Sequence, residues 1–503
     1  MFEPIHRVLD LDPCPNLDAY IRCGGRIALD GAREIDPQVI LETIADSGLR
    51  GRGGAGFPTA KKWLAVMGHN SDTSPTAVLV NGAEGEPSTL KDRFILRNNP
   101  YRVIEGALIA CEVVGADELV VCVKASFAGE LTRLRAVLAE VEAAGWARNI
   151  KVRIVAGPDS YLFGEETGLL EVASNRQPFP RVTPPWRRGL SEGDGVEAPA
   201  SLVDLATTTG DSGAPALVNN VETLANVALI VRHGAAWFRE VGTADSPGSI
   251  VCTITGDVQR HGVAEFPMGT PLSEVISQIG GGPLDGRRLV AVLPGASSAI
   301  IHETNLGVPC THEDFAKIGS GLGSGGFLCL DDSADLRIIA AGASRFLAVE
   351  SCGQCTACKR DGIAVASLLA TTVEPAGDVD LIATDSLISE RLMTITDGAR
   401  CSLASQQRTV VGSILAYPVL PSASAADAID RSAELALLMT PLVDILDGAA
   451  SYDERHLTKN YDWSQDVVDS GQFPAQRLQD VPSCSAPDHI DASVDGVETR
   501  TYA

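Results

Sequence analysis

The feature that most constrains this chain is the run Glu350-Ser351-Cys352-Gly353-Gln354-Cys355-Thr356-Ala357-Cys358-Lys359-Arg360. Three thiols at C-x2-C-x2-C spacing can be presented by one short loop to a single inorganic centre. Zinc sites also use cysteine pairs two residues apart, but they usually draw them from two separate knuckles. Three thiolates in one run, joined by a fourth from elsewhere, is how a backbone wraps a cubane [4Fe–4S] cluster. Cys401, in Asp397-Gly398-Ala399-Arg400-Cys401-Ser402-Leu403, is the candidate fourth ligand. A reduced cysteine cluster that packs or binds zinc is the competing reading.

The other eight cysteines follow no regular spacing, and most sit in apolar runs such as Leu119-Val120-Val121-Cys122-Val123. There a free thiol behaves as a small hydrophobe, which fits a reducing compartment. A formal charge of −25 argues against nucleic acid or an anionic membrane as the main partner. No apolar run reaches the length of a membrane span, and Met1-Phe2-Glu3-Pro4-Ile5-His6-Arg7 is not a signal peptide. The expectation is a cytoplasmic protein, held at a membrane only through other subunits.

At 503 residues the chain has room for several domains. Residues 1–45 read as a leader ending in the helix Pro37 to Ser47. Gly48 to Thr59 is a glycine-rich loop feeding a helix over Ala60 to Met67. Such a loop lets backbone N–H groups approach a phosphate, although loops of this kind are common. Apolar strands over Thr76 to Val80, Glu118 to Val123 and Lys151 to Val155 alternate with helices over Pro100 to Val114 and Gly129 to Ala144. This predicts an α/β layer with mostly parallel strands. Asn81-Gly82-Ala83-Glu84-Gly85-Glu86-Pro87 then lies just past a strand's C-terminal end, where ligands collect. A loose stretch from Leu190 to Gly213 precedes Val218-Asn219-Asn220, read as the start of a helix to His233. A β-grasp-like unit comes next, from Ser249 to about Pro309. Residues 335–450 look almost all helical, and the acidic remainder reads as an extension draped over a surface or partly disordered.

Six motifs in order carry a resemblance: GRGGAGFPT (51–59), N-x-x-E-x-E-P-x-x-x-K-D-R (81–93), Y-x-x-G-E-E-T (161–167), NNVETLANV (219–227), LGSGG (322–326) and ESCGQCTACK (350–359). From about residue 35 to 440 the chain resembles the NADH-binding flavoprotein (F) subunit of bacterial complex I. The same module serves as the diaphorase subunit of NAD-linked formate dehydrogenases and hydrogenases. The resemblance implies a Rossmann-like flavin/nucleotide domain (46–245), a soluble-ligand-binding β-grasp domain (246–330) and a C-terminal helical bundle carrying the iron–sulfur cluster (331–450). An acidic extension (451–503) completes the chain.

The resemblance further implies FMN, NAD(H) and a [4Fe–4S] cluster on Cys352, Cys355, Cys358 and Cys401. Gly51, Arg52, Gly53 and Gly54 would meet the phosphates, with Lys62 supplying positive charge. Asn81 would bond the flavin ring, and Asn219, Asn220 and Thr223 would hold its tail. Phe57 would stack on adenine. Glu86 and Glu166 would bond ribose hydroxyls and position the nicotinamide, with Glu84, Tyr161, Gly164 and Glu165 completing the cofactor-binding set. Hydride would pass from NADH to FMN, and single electrons from there to the cluster. The expected acceptor is a thioredoxin-like or ferredoxin-like [2Fe–2S] subunit of a larger redox complex.

Three positions depart from the family pattern. Ala83 stands where an aspartate is usual, Ala65 where a second aromatic is usual, and Thr183 where a lysine is usual. A lost stacking partner and a lost cation weaken NADH binding by about 1–2 kcal/mol each, unless Arg187 or Arg188 replaces the cation. The alternative reading is a flavin/iron–sulfur electron-transfer subunit that no longer binds NADH and couples to a ferredoxin.

Overall fold

The computed structural model describes residues 3–70, 76–190, 214–373, 379–417, 425–465, 471–477 and 499–501. The loose stretch 191–213 and residues 466–470, 478–498 and 502–503 of the acidic extension lie outside them.

The first sheet is parallel and buried: β1 (Thr76–Gly82), β2 (Ala116–Lys124), β3 (Lys151–Gly157) and β4 (Ala216–Asn220) lie in the order β3-β2-β1-β4. Their near-continuous apolar runs are what strands covered on both faces require. The crossover helix Pro100–Val114 is delimited by local chemistry. The Asn99 side chain accepts from Arg102 N, Pro100 occupies the first turn, and Gly115 ends the helix at φ 66°. Residues read as a leader are built into this layer. Val8, Leu9, Leu17, Tyr20 and Leu29 are buried in the same core as β1 and β2, with short helices at Leu17–Arg22 and Ile27–Ala32.

The second sheet is mixed: β5 (Ser249–Gly256), β6 (Gly262–Pro267), β7 (Leu289–Pro294), β8 (Ile301–His302) and β9 (Gly326–Asp331). Its order is β6-β5-β9-β7-β8, with β5 and β9 parallel at the centre. The first and last strands pairing side by side, with helix Leu272–Gly280 packed on β5 and β6, make this a β-grasp. β9, ending at Asp331, supplies the central strand of this unit, beyond the Pro309 at which its local pattern fades in the sequence.

Helices Leu336–Glu350, Thr356–Val373, Leu381–Thr394, Leu403–Leu415 and Ala425–Leu437 form the third layer. Their shared core includes Phe346, Leu347, Val365, Ile388, Val410 and Val411. The region is not helical to its end. A hairpin of β10 (Leu442–Leu446) and β11 (Ala449–Tyr452) closes it. Near the C-terminus, β12 (Thr499–Thr501) pairs in parallel with β3.

Candidate active site

From β1 the chain steps in one direction to β2 and β3, then returns to the other side of β1 for β4. That reversal is a topological switch point, where the C-terminal ends of an α/β sheet leave a crevice. Asn81 and Asn220 are register partners there. A cavity of about 780 Å³ opens at this point, within the range of cofactor sites.

Loops of the first layer, the β-grasp and the start of helix Leu403–Leu415 wall it. The glycine-rich loop contributes Gly51, Gly53, Gly54 and Phe57, the last 51% exposed and so free to take a planar ring. Gly54 sits at φ 119°, a conformation open to glycine. Gly164 approaches the Ala83 carbonyl so closely that a Cβ would lie 3.0 Å from its oxygen. Asn81 Nδ2 donates to Gly164 O (2.8 Å), which ties the β1 loop to the Tyr161–Gly164 turn. Lys62 Nζ donates to Glu166 Oε1 (2.8 Å) and Val218 O (3.1 Å).

Several expected contact residues instead turn their polar ends to the protein. Arg52 is absent from the cavity wall; its buried guanidinium donates to Ser249 O and Pro247 O, and its N–H to Thr223 Oγ1. Glu84 accepts from Asp92 N and Arg93 Nε. Asn219 Oδ1 accepts from Trp63 Nε1 (2.8 Å). Asn220 caps helix Val221–His233, accepting from Glu222 N, and donates to Asp92 Oδ2 (2.7 Å). These residues set the backbone of the wall.

Charge is held deep in it. Burial pulls on the Lys91 ammonium, but Asp92 and Glu222, at 2.7 and 2.9 Å, outweigh it and hold its pKa high. Burial raises Asp92 in spite of Lys91. Glu86 reaches into the β-grasp, accepting from Ser324 Oγ (2.7 Å) and Ala296 N (3.2 Å). Its desolvation raises its pKa against those bonds. Glu165 caps helix Glu166–Ala173 through Thr167 N and Gly168 N, and burial raises it too. Burial, with Arg50 and Arg52 adding to it, pushes His312 down to about 4, so it is neutral at pH 7.

The thiols adjoin this cavity. Cys401, Ser402 and Leu403 stand on its wall. Cys352 and Cys358 are 7% exposed in the helical core, against which Cys355 and Cys401 also pack, and all four are free. Gln354 Nε2 donates to Cys352 Sγ (3.4 Å), and Ser351 Oγ lies 3.3 Å from Cys358 Sγ.

The family profile described as the Nuo51 FMN-binding domain matches residues 44–229. The SLBB domain matches 251–301, and the NADH-ubiquinone oxidoreductase-F iron-sulfur binding region matches 339–417. The second F subunit (F 2) of NADH-quinone oxidoreductase in Rhizobium meliloti (strain 1021) is 37% identical over 374 residues, 72% of this chain and 84% of that protein. The chain belongs to the F-subunit family of NADH-quinone oxidoreductases. Another member, from Aquifex aeolicus (strain VF5), is 33% identical over 68% of this chain and 76% of its own length. Among solved structures, the NAD+-reducing [NiFe]-hydrogenase in its H2-reduced state aligns at TM-score 0.66 and 30% identity, over 81% of this chain and 64% of that one. Its air-oxidised state aligns at 0.65 and 28%, over 85% and 72%.

The F-subunit cofactors fit what is present. The cavity, about 780 Å³, has the volume for a flavin nucleotide, and the exposed face of Phe57 borders it. Among the described residues no three His, Cys, Asp or Glu side chains gather tightly enough for a single metal ion. Cys352, Cys355, Cys358 and Cys401 are free thiols in or against one apolar core, the donor set that a [4Fe–4S] cluster takes.

Of the residues singled out in the sequence, the cavity gathers Gly51, Gly53, Gly54, Phe57, Lys62, Asn81, Glu84, Glu86, Tyr161, Gly164, Glu165, Glu166, Asn219, Asn220, Thr223 and Cys401. It leaves Arg52, Cys352, Cys355 and Cys358 behind the wall, and Arg187 and Arg188 are exposed outside it. Sequence reasoning missed Asp92, Ser297, Ser298, His312 and Gln406. Asp92 stands in one of the six motifs; the others come from loops and helices of the β-grasp and helical layers that only the fold brings back to the cavity.

Proposed function

We propose that this chain takes hydride from NADH onto FMN and passes single electrons through a [4Fe–4S] cluster, as the NADH-oxidising subunit of a larger redox complex. The observation that carries this is Cys401, a candidate cluster ligand standing on the wall of the flavin cavity. When bound, the flavin accepts hydride and the cluster carries one electron at a time.

The chain's own residues bind, orient and exclude water. Phe57 offers a face to adenine, and Lys62, on the cavity wall, is the positive charge for the flavin phosphate. Glu86, held by Ser324 and Ala296, and Glu166, held by Lys62, are the carboxylates for ribose hydroxyls and the nicotinamide. Fixing these acceptors in advance lowers the entropic cost of a productive geometry. Cys352, Cys355, Cys358 and Cys401 would ligate the cluster. The domain assignment 46–245, 246–330 and 331–450, the [2Fe–2S] thioredoxin-like or ferredoxin-like acceptor subunit and a cytoplasmic location belong to the same reading. Among the described residues no helix is long and apolar enough to cross a membrane.

The test is anaerobic purification, reconstitution with iron and sulfide, and absorbance before and after NADH. Prompt bleaching of the flavin bands with a fall in the broad iron–sulfur absorbance is expected. A bound flavin that ignores NADH and NADPH but reduces with dithionite would sink the dehydrogenase reading and promote ferredoxin coupling.

A further inference from the structure

The iron–sulfur family profile ends at residue 417, and the chain continues well past it. Two described parts of this later chain, 455–465 and 471–477, lie against the cysteine loop and the helix before it. The carboxylate of Glu350, two residues before Cys352, is buried between two groups from this extension: His456 Nε2 at 3.0 Å and Lys459 Nζ at 2.7 Å. Its other oxygen accepts from Tyr161 N (2.8 Å), on the flavin side of the cavity. Arg345 donates to the carbonyls of His456, Leu457 and Lys459, and Trp463 Nε1 to Val349 O (2.8 Å). Trp463 also packs on Phe179, beside Pro180, whose carbonyl accepts from Gln354.

Further on, Ala475 N donates to Cys352 O (2.9 Å). Phe473 lies over Gly353, where a Cβ would come within 2.6 Å of the Phe473 Cβ; Gly353 has φ 83°. The Lys359 ammonium, bonded to Ala348 O and Ser351 O, faces the rings of Tyr461 and Phe473 at 5.9 and 5.8 Å. Residues within 455–465 and 471–477 therefore pack against the loop that carries three thiols.

We propose that residues 455–465 and 471–477 are a working part of the cluster site. They position the loop 351–358 and keep water from it, so that they set the cluster's potential and its resistance to oxygen. This rests on the cluster assignment under the proposed function. Solvent exposure and hydrogen bonding near the sulfurs are established levers on such potentials. Water stabilises the more highly charged reduced cluster, so removing the cover moves the potential positive. Phe473, Trp463 and Ala475 are positioning residues, since none is a ligand.

The test uses full-length, reconstituted protein with Phe473→Ala, which removes the ring beside the loop while keeping the Cβ over Gly353 and the charge unchanged, and Phe473→Leu, which keeps an apolar cover. Expected for Phe473→Ala are a positive shift in midpoint potential, a several-fold faster loss of iron–sulfur absorbance in air, and faster hydrogen exchange across residues 352–358. Phe473→Leu should recover most of each. Unchanged potential, air sensitivity and exchange in Phe473→Ala would overturn the proposal. If Phe473→Ala loses flavin as well as iron it has unfolded, and Phe473→Leu and Trp463→Phe then decide by the same readouts. Wild-type protein without four irons per chain would refute the cluster reading instead, and exchange at the loop would still report the cover.

Discussion

At the scale of single residues, the carboxylates divide by what holds them. Glu166 is bonded to Lys62 at 2.8 Å, and both side chains are part-exposed at the cavity. Glu166→Gln keeps the shape and removes the charge that orients Lys62. We expect KM for NADH to rise about tenfold, equivalent to about 1.4 kcal/mol, with kcat reduced less, in steady-state assays. His312 makes a pH prediction. Its folded pKa, about 4, lies below the ordinary histidine value, so its contribution to stability is present above pH 6.5 and lost as pH falls from 6.5 through 4. Discounting for its partial exposure, this is on the order of 1–2 kcal/mol. Urea midpoints measured across that window should fall less steeply in His312→Gln. The two residues are not equally legible in the sequence. Glu166 stands in a motif, whereas His312 acquires its role from packing over Gly56 across the β-grasp interface, where a Cβ on Gly56 would meet its ring at 2.5 Å.

At the scale of elements, the periodic apolar runs announce themselves, and the short strands do not. β1, β2, β3 and helix Pro100–Val114 fall where the sequence predicts them, because buried runs and the Asn-Pro start and Gly stop act locally. β4 reads in the sequence as part of a helix, since Ala216–Asn220 is five residues long and runs straight into Val221–His233. Only pairing with β1 defines it. β9 too is placed only by pairing, in parallel with β5 and antiparallel with β7. One contact between elements is readable only in three dimensions. Helix Pro100–Val114 crosses helix Val221–His233 at Gly106, where a Cβ would lie 1.9 Å from the Leu224 carbonyl oxygen. Backbone cannot retreat as a flexible side chain can. Gly106→Ala should destabilise by roughly 3 kcal/mol and loosen the flavin, because the second helix begins at Asn220. Gly129→Ala, in helix Ala128–Ala143 with nothing within 4 Å of its Cβ, should instead gain about 0.5–1 kcal/mol. Thermal melts with flavin fluorescence compare the two.

At the scale of the whole molecule, the layers are joined by buried polar anchors that no motif reveals. Glu265 on β6 accepts at one oxygen from three successive N–H groups, Arg7, Val8 and Leu9, and at the other from Ser249 Oγ. Ile5 N adds a bond to the Glu265 carbonyl (2.8 Å). A segment that reads as a leader is thus a strap from the flavin layer to the β-grasp, and the cavity lies between the layers it joins. Burial raises the Glu265 carboxyl against four bonds that favour its charge. Charge is therefore the less valuable property here, and accepting geometry the more valuable one. Glu265→Gln retains an acceptor oxygen for the three N–H groups, whereas Glu265→Ala leaves them buried without partners. Each unsatisfied donor costs about 1–3 kcal/mol, although relaxation of the strap shares the loss. The expected ordering in urea denaturation is wild type close to Glu265→Gln, with Glu265→Ala lower by roughly 3 kcal/mol or more. If the strap also fixes the distance between the layers, Glu265→Ala should weaken NADH binding while the iron content stays at four per chain, because the thiols belong to the third layer. Equal loss of both would place the anchor's effect on the whole fold rather than on the cavity.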